Sequence, residues 1–224
     1  MNQFNVSVVV PVFNEAEQVT SLVYRLTLLK EYVKDIIVVD GGSDDGCDVT
    51  LAKQFTVIKS QKGRANQMNA GAQHAKGTWL IFLHADTQFN SSQLRAMVDQ
   101  ASLHQWGRFN VQLDAKGLGF RIIEWFINQR SRLTGVATGD QCIFVRKRFF
   151  DSLNGFKSIP LMEDVDFSKR AKKLAPPKCL KESVITSARR WQKNGLLKTV
   201  ILMWQLRYAF WRGVSPETLA DRYR

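Results

Sequence analysis

Histidine, cysteine and proline are scarce in this chain of 224 residues, and each scarcity closes off a class of function. His74, His84 and His104 are too scattered for a zinc site, and Cys47, Cys142 and Cys179 match neither a C-x-x-C nor a Cys/His ligand spacing. Cysteines so far apart fit a reducing compartment, where they serve as small buried hydrophobes. No apolar stretch reaches about 18 residues, and no basic segment with an apolar signal core precedes the first strand, so neither a bilayer span nor export is expected. P-loops and G-x-S-x-G elbows are missing, and Gly117-Leu118-Gly119-Phe120 has only the first two glycines of a dinucleotide fingerprint. Internal repeats and low-complexity tracts are missing too. What remains is a globular composition, 45% hydrophobic and 23% charged, long enough for one large domain or two small ones.

Acid is in short supply in one half only. Of 32 Lys/Arg and 20 Asp/Glu, residues 1–110 hold 10 of each, which leaves 22 against 10 in residues 111–224 and places the whole +12 excess there. Such a half either faces an anionic partner (a membrane surface, a nucleic acid or a phosphorylated substrate) or is a solvated basic surface.

Short strand and helix signals alternate through the first 110 residues, which predicts an α/β fold with a parallel sheet. Strands are expected at 6–12, 36–39, 56–58 and up to 83. Asn14, with Glu17 three residues on, reads as the cap of a first helix whose apolar face carries Val19, Leu22, Val23, Leu26 and Val33. A short helix is expected over 45–54, another is marked by Ala65, Met68, Ala72 and Ala75, and Ser91 or Ser92 reads as the cap of a helix with Leu94, Met97, Val98 and Ala101 inward. Beyond residue 108 the pattern loosens. Residues 109–113 alternate like a half-exposed strand, 120–127 form an apolar helical patch with Trp125, 142–145 read as a short strand, and Asn154-Gly155 marks a turn. The sequence Met162-Glu163-Asp164-Val165 opens a helix with a basic far end, an arrangement that suits the helix dipole.

The segment 196–214 carries two apolar stripes as a helix. Leu197, Val200, Ile201, Trp204, Tyr208 and Trp211 form one, and Leu202, Met203, Leu206 and Phe210 the other. One stripe can cover the core. The other then meets a membrane interface or a second subunit, unless both are buried within one copy.

Two apolar strands end in carboxylates, Ile36-Ile37-Val38-Val39 in Asp40 and Leu80-Ile81-Phe82-Leu83 in His84-Ala85-Asp86. Ligands of open α/β sheets bind beyond strand carboxyl ends, so both acids sit where a polar ligand would be held. Asp86 is the candidate ligand of a divalent cation, which can neutralise a departing diphosphate. Asp40 either accepts hydrogen bonds from a base or ribose or serves as a turn residue. Lys62 and Arg64, at an expected helix start, can grip phosphate together with backbone N–H groups. The pair Glu163-Asp164 either stabilises its helix dipole or supplies a general base.

Four motifs in order, Pro11-Val12-Phe13-Asn14-Glu15, Val38 to Gly46, Leu83-His84-Ala85-Asp86 and Glu163-Asp164, resemble the family 2 glycosyltransferases of GT-A fold. Thr138-Gly139-Asp140-Gln141 and Ser187-Ala188-Arg189-Arg190-Trp191 are similar to a small bacterial subgroup, which extends the likeness over nearly the whole chain. The resemblance implies a Rossmann-like, mostly parallel sheet flanked by helices with a C-terminal helical tail. Residues 1–110 would be the nucleotide-binding half, 111–190 the acceptor-binding half, and 191–224 a basic aromatic helical segment. It also implies inverting transfer from a nucleoside-diphosphate sugar to a hydroxyl acceptor with Mg²⁺ or Mn²⁺. Carried over by position, Pro11, Glu15, Asp40 and Arg64 would hold the nucleotide, Asp86 the metal, and Asp164 would be the base with Glu163 beside it. Gly41 stands where a second Asp is common and His84 where a first metal-binding Asp is common, so His84 would hydrogen-bond ribose or phosphate. Arg190 would contact the diphosphate or an anionic acceptor, unless it serves structural ion pairing.

A cytoplasmic enzyme, at most bound to the inner face of the membrane or dimeric through 196–214, and without a specific nucleic-acid partner, is the expectation. Its rivals are a nucleotidyltransferase, which would carry a Gly-rich basic signature after the first strand, and a non-enzymatic module that binds anionic membrane or nucleic acid through the +12 half.

Overall fold

Strand β1 (Phe4–Val12) is apolar almost throughout because it is covered on both faces, the pattern of a central strand in a parallel sheet. The computed structural model describes residues 3–223. After β1 the chain runs through α1 (Val19–Lys30), β2 (Val33–Asp40), α2 (Cys47–Ala52), β3 (Thr56–Lys59), α3 (Arg64–His74), β4 (Trp79–Phe82) and α4 (Ser91–Ala101). It continues with β5 (Trp106–Leu113), α5 (Leu118–Thr134), a 3₁₀ turn (Gly139–Gln141), β6 (Phe144–Arg146), α6 (Lys147–Ser152), α7 (Glu163–Leu174) and β7 (Lys178–Thr186). Three helices follow, α8 (Arg189–Asn194), α9 (Leu196–Trp211) and α10 (Pro216–Tyr223). The strands form one seven-stranded sheet in the order β3-β2-β1-β4-β6-β5-β7. All neighbours are parallel except β6, which runs antiparallel to both β4 and β5.

Period-two alternation along β1 sorts the core into two layers. Val6, Val8, Val10 and Val12 meet Leu22, Leu26 and Leu29 of α1, Leu51 of α2 and Leu94 and Met97 of α4. Val9 faces the other way, toward Ala65, Met68 and Ala72 of α3, Phe150 of α6 and Phe167 of α7. Gly71 lets α3 sit directly on the sheet, since a Cβ there would lie 2.3 Å from Val9 Cγ1.

Several local expectations are corrected. Asn14 does not cap α1, which begins at Val19 without a side-chain cap; Asn14 has a left-handed φ of 54° and its side-chain oxygen accepts from Asp44 N instead. The cap of α4 is Asn90, which forms a capping box with Gln93, rather than Ser91 or Ser92. Residues 109–113 of β5 do alternate, Phe109, Val111 and Leu113 being buried while Asn110 is half-buried and Gln112 exposed, and the strand lies between β6 and β7 beneath α5. Its fully buried Arg108 donates to Ser131 Oγ and to the carbonyls of Phe109 and Asn128.

Only one stripe of α9 is covered. Leu206 is buried with Leu219 and Ala220 of α10, and Leu202, Met203 and Phe210 pack beside it. Leu197, Ile201, Trp204, Tyr208 and Trp211 are exposed, while Val200 packs toward α5. Among the described residues no helix is long and apolar enough to cross a membrane.

Candidate active site

The carboxyl ends of β2, β1 and β4 lie side by side, with Asp40 in register with Val12 and Phe82 with Val9. A buried amide holds two of these ends together, because Gln67 Nε2 donates to Val12 O at 2.7 Å and to Val39 O at 2.8 Å. Gln67 also explains Gly41. A Cβ at that position would come within 3.1 Å of the Gln67 amide carbon.

Asp40 is fully buried and its carboxylate accepts from Gly42 N, Ser43 N and, at 2.6 Å, Ser43 Oγ. Those bonds fix the loop after β2. The loop after β1 is stapled to it by Asn14 N donating to Ser43 Oγ at 2.9 Å and Ala16 N donating to Asp45 Oδ2 at 2.7 Å. Glu15 on this loop has its carboxyl raised above its ordinary 4.5, first by burial and then by the Asp86 carboxylate. Lys62 lies over the Phe13 ring at 3.7 Å.

His84 and Asp86 share one tight turn, closed by Thr87 N donating to His84 O. Arg25 ties that turn to α1 by donating to Ala85 O at 2.7 Å, and Thr87 Oγ1 reaches Thr186 Oγ1 on β7. Burial, and then the Arg64 guanidinium, hold His84 below its ordinary 6.5, so the ring is neutral near pH 7. The ring lies against the 3₁₀ turn through its Cε1–Nε2 side. A Cβ on Gly139 would sit 2.5 Å from His84 Cε1.

A cavity of about 860 Å³ opens beyond this edge, and Arg64, His84, Asp86, Glu163, Asp164 and Arg190 all line it. Pro11, Glu15 and Asp40 do not; they lie at the neighbouring strand ends. Glu163 is buried at the start of α7, 3.4 Å from Arg64 Nε at the start of α3. Burial, followed by the adjacent Asp164, raises its carboxyl to about 7 against the pull of Arg64. Arg64 loses proton affinity through burial but gains more from the Glu163, Asp164 and Asp140 carboxylates, which keep it charged. Asp164 Oδ2 accepts from Gly139 N at 2.7 Å, so the 3₁₀ turn and α7 are locked together. Just before the pair, Met162 caps α7 with a left-handed φ of 69°, a strained conformation for a residue with a side chain.

Sequence reading missed four ionisable residues of the cavity wall, Arg130, Asp140, Arg207 and Tyr223. Asp140 lies in the quoted Gly139-Asp140-Gln141 run, but no local signal marks Arg130 and Arg207, which are 77 positions apart and meet only through the packing of α5 and α9. Arg190 spends its guanidinium on the Tyr223 ring, 3.8 Å from its centroid, and no carboxylate lies within ion-pair distance of it among the described residues.

The chain is similar to known proteins over most of its length. Residues 7–150, well over half of it, match Glycosyl transferase family 2. An uncharacterized glycosyltransferase of Haemophilus influenzae is 26% identical over 175 residues, which cover 72% of this chain and 60% of that protein. The undecaprenyl-phosphate 4-deoxy-4-formamido-L-arabinose transferase of Pseudomonas fluorescens is 29% identical over 161 residues, covering 63% of this chain and 46% of the relative. The chain thus spans about half to 60% of these relatives. Among solved structures, the mannosyltransferase PcManGT of Pyrobaculum calidifontis, in complex with GDP-Man and Mn²⁺, superposes with a TM-score of 0.66 at 17% identity, over 93% of this chain and 62% of that one. At that identity the likeness is one of GT-A fold.

Proposed function

Because the chain belongs to glycosyl transferase family 2, we propose that it moves a sugar, with inversion, from a nucleoside-diphosphate sugar to a hydroxyl acceptor. The observation that carries this reading is the single cavity at the strand ends into which separate elements bring Arg64, His84, Asp86, Glu163 and Asp164. Inversion requires attack on the anomeric carbon from the face opposite the departing diphosphate, with a base at the attacking hydroxyl. Asp164 is that base. Its backbone bonds from Gly139 and Val165 fix its direction, and a carboxylate has lone pairs to spare beyond those two. Glu163, buried against Arg64, holds that guanidinium toward the cavity rather than acting on the substrate itself.

Among the described residues no three His, Cys, Asp or Glu side chains cluster to hold a metal. Asp86 with its neighbour Glu15 therefore fits a cation that arrives with the donor, since Mg²⁺ is commonly bound by one or two carboxylates and substrate phosphates. When bound, Mg²⁺ or Mn²⁺ neutralises charge on the departing diphosphate. Arg64 and the neutral His84 ring supply donors on the same wall, and Asp40 with Pro11 and Glu15 shapes the adjoining edge for the nucleotide. These roles make the cation a companion of the substrate, with little affinity for the protein alone.

A panel of nucleotide sugars incubated with Mn²⁺ tests the reading. Release of nucleoside diphosphate with a glycosylated product supports it, whereas release of pyrophosphate would move the chain to the nucleotidyltransferases. Replacing Asp164→Asn should lower kcat by roughly 10²–10⁴-fold with donor affinity nearly unchanged, and full turnover in that variant removes the base.

A further inference from the structure

Helix α10 has no part in the sequence motifs, yet it contributes a side chain to the active-site cavity. Leu219 and Ala220 are buried in a cluster with Leu206 of α9 and with Leu161, Met162 and Val165, the residues that flank Glu163-Asp164 at the start of α7. Tyr223 lies four and three positions beyond them, hence on the same face of the helix, and it lines the cavity. There its ring meets Arg190, whose guanidinium carbon stands 3.8 Å from the ring centroid.

Arg190 is exposed, and among the described residues it forms no ion pair and donates no hydrogen bond, so the Tyr223 ring is the contact that orients it. A guanidinium stacked on an aromatic ring uses its flat face and keeps its N–H donors at the edge, the fork that fits a phosphate. An unrestrained arginine gives up rotamer freedom when it grips an anion, and a stack made beforehand removes much of that cost. The backbone under Arg190 is fixed as well. Ala188 N donates to Asp114 Oδ1 at 2.6 Å and Trp191 packs in the cluster of Leu113 and Ile123, so both partners of the stack stand on anchored helices. Tyr223 also bears on the second arginine of this wall, since after burial, Glu163 and Asp164 its phenol is the next group to act on Arg64. Arg64 and Arg190 thus sit around one aromatic side chain in one cavity. Each guanidinium matches one phosphate, and two of them match a diphosphate. The sugar and the base of a donor carry no charge that would use a cation readied in this way.

We propose that Tyr223 is a positioning residue of the donor site: its ring holds the Arg190 guanidinium ready to grip the donor's diphosphate together with Arg64, which makes α10 part of the donor-binding machinery. This deepens the transferase reading and rests on it. Tyr223 acts through Arg190, so its effect on affinity vanishes once that guanidinium is removed. A ring that merely fastened α10 to α8 would act on stability whatever ligand is bound and whatever residue stands at 190.

The test is calorimetric titration of the full chain, in Mn²⁺, with UDP, GDP, ADP, CDP and dTDP, followed by variants measured with whichever of these binds most tightly. Tyr223→Leu, which fills space without a π face, should weaken that nucleoside diphosphate by at least about fivefold, the size of a partly desolvated cation–π contact. Tyr223→Phe keeps the ring and should restore most of the affinity. In an Arg190→Gln background Tyr223→Leu should cause no further loss, the non-additivity expected of two groups that act as one. Arg190→Lys keeps the charge but not the planar stack, and should lose affinity nearly as Arg190→Gln does, so a folding defect of Tyr223→Leu would not hide the result. The proposal is overturned if Tyr223→Leu binds the diphosphate as the parent does, if the loss is the same size in the Arg190→Gln background, or if Arg190→Lys retains the parent's affinity. A parent that binds none of the five nucleoside diphosphates would sink the transferase reading and this proposal with it, whereas tight binding with an additive Tyr223 effect would sink the proposal alone.

Discussion

Glu163 offers a sharp quantitative test because it is buried, acidic and close to neutrality in its proton affinity. The native state holds its proton up to about pH 7, whereas an unfolded chain releases it near 4.5. Between those values the native state binds more protons than the unfolded one, so this group's contribution to stability is fully present below pH 4.5 and is lost as pH rises through about 7. Each tenfold difference in proton affinity is worth about 1.4 kcal/mol, which puts the full loss at roughly 3 kcal/mol, an upper bound that already includes the attraction of Arg64. Glu163→Gln mimics the protonated form at every pH. Its stability advantage over the parent should therefore grow from pH 5 to pH 8, by up to roughly 3 kcal/mol, or about 6–12 °C in Tm for a chain of this size. Urea or thermal denaturation of both proteins at matched pH measures the difference and cancels the titrating groups that do not interact with Glu163. An advantage that stays constant or shrinks across that range would refute the reasoning that burial and Asp164 outweigh Arg64.

Three further outcomes follow from the geometry. Asp86→Asn should abolish the dependence of nucleoside-diphosphate binding on Mn²⁺, read by calorimetry with and without the ion, and unchanged dependence would place the cation elsewhere. Gly139→Ala puts a Cβ 2.5 Å from the His84 ring, so it should cost about 1–3 kcal/mol in a melt and reduce turnover with it; a fully active, fully stable variant would show that the ring moves aside freely. Asp40→Ala strips the acceptors from Gly42 N, Ser43 N and Ser43 Oγ, and should destabilise by about 1–3 kcal/mol even without ligand, whereas loss of nucleotide affinity at constant stability would make Asp40 a ligand contact alone.

The sheet was legible because its strands are buried on both faces. Runs such as Ile36-Ile37-Val38-Val39 admit no other reading, and the acids that end them mark the functional edge. Residues that act through neighbours far along the chain were not legible. Asn14 has the right type and spacing for a helix cap, yet a partner 30 positions away, Asp44 N, takes its side chain. The two stripes of α9 were visible as a pattern, while the choice of which one is buried depends on α10 and Leu161, a choice no wheel can make. Arg130 and Arg207 are ordinary surface residues in sequence and become a pair only when two helices are laid side by side.

Helix α3 couples two tasks that are usually separate. Arg64, Gln67 and Gly71 occur at intervals of three and four, hence on one face, and they respectively offer a guanidinium to the cavity, bridge the ends of β1 and β2, and rest on Val9. One rigid rod therefore sets both the depth at which the cation group stands and the gap between the two strands that frame it. A change at any of the three sites would shift the others in concert, so variation tolerated by the enzyme should arrive as matched sets along this rod rather than singly.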